Sequence, residues 1–138
     1  MATSKPVIVS WKSEGLLFEG ATAHGRVDMA SGLDAPGQGA TPMELLAVAL
    51  AGCTGMDVVS ILQKMRQPLQ GLRVEVHGER AEEHPKRFIS LQVVYHLTGA
   101  LDEKKVKRAI ELSETKYCSV EATLRPAVSI SSSYVLEA

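Results

Sequence analysis

The chain has 138 residues with a formal net charge of −1, a 45% hydrophobic and only 4% aromatic composition, and two cysteines. That length predicts one domain, 1–138, with a core of its own and something to gain from oligomerisation. A pI of about 6.4 excludes the basic footprint expected of a nucleic-acid or anionic-membrane binder.

Met1 to Pro6 is polar and does not read as a signal peptide, which predicts a cytoplasmic protein in a reducing compartment. Val7–Lys12 is a short extended run, Ser13-Glu14-Gly15 a turn, and Leu16–Glu19 and Ala21–Met29 continue an antiparallel meander within 1–30. Ser31–Ala40, with three glycines and a proline, reads as an irregular loop. The second part, 41–138, opens on a strong helix start. Thr41 fits the N-cap, Pro42 the first helical position, and Glu44 completes a capping box. The helix is predicted over Thr41–Arg66, since Pro68 stops it; that is about 25 residues, or roughly 37 Å. Its unbroken apolar run, Leu45–Met56, is bounded by Glu44 and Asp57 and suits a core helix rather than a membrane span.

Leu72–Arg80 and Phe88–Leu97 alternate as strands with one wet face, placing His77 and His96 in solvent. Asp102 caps a second helix, Glu103 to about Tyr117, with Val106, Ala109, Ile110, Ser113 and Tyr117 as its inward stripe. Glu121–Leu124 adds a helical turn, and Val128–Leu136 closes the chain as a strand. The order β-β-β-α-β-β-α-β predicts an α+β fold.

Cys53 is the first candidate for chemistry. One reading is a buried small hydrophobe on an apolar helix. Against it stand Gly52, Thr54 and Gly55, all weak helix formers, and Asp57 one turn away on the same face. Two mid-helix glycines imply a bend or a close neighbour. A thiol beside Asp57 also needs a cation to become reactive, and Arg26, Lys116 and Arg125 are the candidates. Cys118, in Lys116-Tyr117-Cys118-Ser119-Val120, reads as a buried residue, a resolving thiol or half of a structural disulfide. The histidines show no HxxxH spacing and the cysteines no CxxC, and there is no phosphate loop; neither a metal nor a cofactor is expected.

Pro42-Met-Glu-Leu-Leu-Ala-Val-Ala-Leu-Ala-Gly-Cys-Thr-Gly-Met-Asp-Val-Val59 and Lys116-Tyr-Cys-Ser-Val120 together resemble the OsmC/Ohr family, the osmotically inducible and organic hydroperoxide resistance proteins. The likeness extends over nearly the whole chain and is nearer to the OsmC-like branch. It implies an intertwined homodimer with the long helices at its centre. It also implies a peroxidatic cysteine at Cys53, a resolving cysteine at Cys118, an activating arginine matched best by Arg26, an organic hydroperoxide as substrate and a dithiol reductant of lipoyl type. The family pattern is departed from at two positions and matched loosely at a third. Met43 stands where the hydroperoxidases carry glutamate, Ser119 follows the second cysteine in place of proline, and Arg26 is the nearest match to the arginine that the family carries in its amino-terminal strands. The function expected is thiol-dependent hydroperoxide reduction. The alternative is a non-catalytic protein of the same fold that binds a small ligand or senses redox state.

Overall fold

The structure is a computed structural model that describes residues 2–34 and 36–138. Met1 of the polar lead and Ala35 of the expected loop lie outside them. The chain divides into two compact units at Leu46/Ala47, one turn inside the long helix.

The amino-terminal unit is an antiparallel sheet of β1 (Ile8–Trp11), β2 (Leu17–Ala21) and β3 (Arg26–Ala30). The third strand starts later than the alternation predicts. Ala21 still pairs in β2, and Thr22–Gly25 makes the turn, with Thr22 Oγ1 accepting the N–H groups of His24 and Gly25 at 3.1 and 3.0 Å. A threonine hydroxyl that satisfies two backbone donors favours the turn over extension.

Helix α1 covers Pro42–Lys64. Its capping box is complete: Thr41 N–H donates to Glu44 Oε1 at 2.9 Å, and Glu44 N–H donates to Thr41 Oγ1 at 3.2 Å. It ends before Pro68 can act. Arg66 takes a left-handed φ of 58°, Gln67 N–H bonds Leu62 O and Arg66 N–H bonds Gln63 O, which closes the last carbonyls as a Schellman motif.

In the carboxy-terminal unit β4 (Gly71–Arg80) pairs antiparallel with β5 (Phe88–Thr98), and β6 (Ser129–Glu137) pairs parallel with β5. The crossover from β5 to β6 carries α2 (Glu103–Leu112), a π turn over Ser113–Tyr117, and α3 (Ser119–Leu124). A parallel neighbour demands such a crossover. Leu91, Val93, Tyr95 and Leu97 of β5 share one face and form a buried core with Leu50, Val58 and Leu62 of α1 and Val106, Ala109 and Ile110 of α2. Each such side chain contributes about 1.5–3 kcal/mol through burial.

The sequence expectation fails at two places in this unit. Tyr117 is 50% exposed rather than inward, because the π turn widens the helix and shifts its phase. His96 is not in solvent: its side chain is 19% exposed, with Nε2 2.8 Å from Glu75 Oε1. It sits on the central strand, where side chains of β4 and β6 flank it on either side; His77, on an edge strand, is exposed as expected.

By length and composition α1 could cross a membrane, but Leu50, Thr54, Gly55, Val58 and Leu62 bury one of its faces in protein. The opposite face leaves Val48 60% and Met56 76% exposed over an apolar groove of about 890 Å³ bordered by Gly52, Leu72 and Val74.

Candidate active site

Cys53 is half-buried at the middle of α1, packed against the core. The two glycines beside it do different things. A Cβ on Gly55 would meet Val74 Cγ2 at 3.4 Å and Leu72 Cδ2 at 3.9 Å, so this buried glycine faces β4 at ordinary contact distance. A Cβ on Gly52 would meet nothing within 4 Å, since Gly52 borders the groove.

Cys118 arrives by a different route. The π turn is closed by Cys118 N–H donating to Ser113 O at 2.7 Å, and Cys118 itself is extended, with φ −72° and ψ 102°. Its thiol, only 3% exposed, caps α3 by accepting Glu121 N–H at 3.4 Å.

These elements bring three groups together that the sequence keeps far apart. The Sγ atoms of Cys53 and Cys118 and a carboxylate oxygen of Asp57 lie within 4.8 Å of one another, and both cysteines are free thiols. Cys53 and Asp57 share a face because they are four residues apart on α1. Burial pushes the Cys118 thiol up to about 12 from its ordinary 9.0; the Glu121 N–H bond works against this, and the neighbouring Cys53 adds to it. Cys118 therefore keeps its proton at neutral pH, with its sulfur within 4.8 Å of that of Cys53.

A chain of buried hydroxyls holds Asp57. Ser113 Oγ donates to Asp57 Oδ2 at 2.9 Å, Thr54 Oγ1 lies 2.8 Å from Ser113 Oγ, and Tyr95 OH lies 2.6 Å from Thr54 Oγ1. Tyr95 is fully buried and its hydroxyl is held well above its ordinary pKa by burial, so it stays neutral and hydrogen-bonding. Thr54, a poor helix former, is thus explained by this chain, and Ser113 by its place where α2 turns toward Cys118. Spacing marked Thr54 and Asp57 as unusual but could not pair them with Tyr95 and Ser113.

Each of the three candidate cations has a neighbour of its own within its unit. Arg26 pairs with Glu19 across the amino-terminal sheet at 2.5 Å, and Lys116 Nζ lies 5.2 Å over the Tyr117 ring. Arg125 pairs with the buried Glu121 at 3.1 Å and donates to Glu114 O. Glu121 is a residue the sequence reading did not single out. Beside it, burial raises the Glu114 carboxyl above its ordinary range, the Ser132 hydroxyl bond opposes that, and the Glu121 charge reinforces it. Glu44, next to Met43, is fully used as a helix cap.

The family model described as OsmC-like protein matches residues 35–133 of the chain. The chain belongs to the OsmC family. Protein YhfA of Escherichia coli strain K12, a relative, is 43% identical over 130 residues, covering 91% of this chain and 93% of YhfA. A hypothetical protein from Aquifex aeolicus VF5, known from its crystal structure, is 33% identical, with a TM-score of 0.84 and both chains covered to 100%. The organic hydroperoxide resistance protein OhrB of Bacillus subtilis shares the fold at a TM-score of 0.67, with 17% identity over 97% of this chain and 98% of OhrB. The α+β OsmC-like fold expected from the sequence is the fold observed.

Proposed function

We propose that this protein is a cytoplasmic, thiol-dependent reductase of organic hydroperoxides, with Cys53 as the attacking residue and Cys118 as the resolving one. The supporting observation is the placement of two free thiols within 4.8 Å of each other in an OsmC-family fold. The Cys53 thiolate attacks the distal oxygen of ROOH, the O–O bond breaks, and the alkoxide leaves as ROH after taking a proton, leaving Cys53–SOH. The Cys118 sulfur then attacks the sulfenic sulfur. Hydroxide leaves, is protonated to water by the Cys118 proton, and a disulfide remains. A dithiol, of lipoyl type in the resembling family, reduces the disulfide and is itself oxidised to a cyclic disulfide.

The order of the two thiols follows their settings: the residue with a raised pKa suits the second step, where its proton is needed. The exposed apolar face of α1 supports a homodimer that buries it, which sedimentation analysis tests through the mass in solution. The resemblance also assigns an activating arginine, and Arg26→Ala tests it through the rate of sulfenic acid formation, which slows only if that assignment holds.

The deciding experiment mixes reduced protein with one equivalent of cumene hydroperoxide and follows thiols and intact mass. Loss of both thiols with a Cys53–Cys118 linked peptide is expected. Unchanged thiols would sink the proposal. Met43 in the family's glutamate position, with Glu44 occupied at the helix start, favours a second reading in which the fold binds a small apolar ligand or senses redox state without turnover. In that case Cys53→Ser keeps ligand binding, and peroxide oxidises the wild type only once.

A further inference from the structure

We propose that the reduced site is also a metal site, in which Cys53, Cys118 and Asp57 bind one zinc ion per chain and hold it in place of the disulfide. This goes beyond peroxide chemistry and needs no oxidant.

The donor set carries the argument. Two sulfurs and one carboxylate oxygen lie within 4.8 Å of one another. A tetrahedral ion with Zn–S of about 2.3 Å and Zn–O of about 2.0 Å needs donors separated by roughly 3.5–3.8 Å. Each atom therefore moves by about 1 Å or less, within reach of a rotamer adjustment. Two of the donors, Cys53 and Asp57, are one turn apart on a well-buried stretch of α1, so they present a fixed pair, as paired ligands four residues apart do in helical zinc sites. Two thiolates and a carboxylate suit zinc better than magnesium or calcium, which take oxygen donors.

The surroundings resemble those of built sites. Ligating carboxylates are held by outer hydrogen bonds, and Ser113 Oγ donates to Asp57 Oδ2 at 2.9 Å while Thr54 and Tyr95 continue the chain. The other carboxylate oxygen stays available. Three protein donors leave a fourth position for water or an incoming anion. Binding releases the two thiol protons to solvent and forms two Zn–S bonds and one Zn–O bond, with no change of oxidation state. An oxidised site has no thiolates to offer, so zinc and the disulfide exclude each other.

The test uses Co²⁺ and Zn²⁺ alone, on the full reduced chain. Co²⁺ is expected to give sulfur-to-metal charge-transfer bands in the near ultraviolet and tetrahedral d–d bands, saturating at one ion per chain and bleached by Zn²⁺. Against a chromophoric chelator, Cys53→Ser and Cys118→Ser should each weaken Zn²⁺ binding more than 100-fold, and Ser113→Ala roughly 10–100-fold. Wild-type protein lacking the charge-transfer bands overturns the proposal, as does binding that survives in the double cysteine variant, which would locate the ion on surface histidines. The wild-type cobalt spectrum decides even if a variant folds poorly. Metal binding without peroxide turnover would defeat only the proposed function, and turnover without metal binding only this inference.

Discussion

Cys53 is carried by a 23-residue helix whose neighbouring positions Leu50, Thr54 and Val58 are fully buried, whereas Cys118 is a single extended residue between a π turn and a six-residue helix. The first thiol is held by regular helix that is packed on one face. The second is placed by a backbone irregularity, with Cys118 N–H reaching back five residues to Ser113 O. Closing a disulfide brings the sulfurs to about 2.05 Å, so one of the two must move. Cys53 stands on regular helix, whereas Cys118 stands at an irregular junction, yet Cys118 is the more deeply buried of the two and belongs to the core. A half-buried attacking residue on regular helix and a buried resolving residue at a helix junction is the division the proposed reaction uses.

That contrast can be broken by mutation, most severely at the helical end. Cys53→Ser is expected to lower hydroperoxide consumption on the order of 10⁴-fold or more, as removal of a nucleophile does, measured by peroxide disappearance. Cys118→Ser should keep the first turnover and lose the disulfide. Its product, Cys53–SOH, is then trapped by a dione reagent as a single mass adduct. The reverse pattern would exchange the roles of the two residues.

The next effect is on stability. Thr54→Val keeps the shape but leaves the buried Tyr95 hydroxyl without the only partner it has among the described residues, at a cost of about 1–3 kcal/mol. A denaturant melt reads this as a lower midpoint with an unchanged slope.

A further effect is an alkaline pH dependence to which Cys118 contributes alongside the buried Tyr95. The folded pKa of Cys118, about 12, lies above the ordinary 9.0, so the unfolded chain gives up the proton first. Its contribution to stability is fully present below pH 9.0 and is lost as pH rises from there toward about 12. The slope of unfolding free energy against pH in that window should flatten in Cys118→Ser and persist in Cys53→Ser, where burial still acts.

The sequence made the scaffold of the helical end readable. The Thr41-Pro42-Met43-Glu44 start, the apolar run after it and the odd cluster Gly52-Cys53-Thr54-Gly55 with Asp57 are local signals, and local hydrogen bonding and propensity fix them. The irregular end was less visible. The apolar stripe of α2 continues smoothly to Tyr117, and nothing in its 3.6-residue period announces a π turn, since that turn is imposed by how Ser113 and Cys118 are held in the packed structure. Glu121 and His96 escaped for a related reason: a charged or titratable residue reads as exposed until its neighbours are known.

By itself, then, the chain determined its element order, the capped central helix, the alternating strands and the face on which Cys53 and Asp57 sit, because each depends on residues a few positions apart. Only the tertiary structure decided that Cys118 meets them and that Thr54, Tyr95 and Ser113 form one hydrogen-bonded chain. Those outcomes depend on a parallel crossover and on burial, which bring together residues whose separation along the chain carries no information about their distance in space.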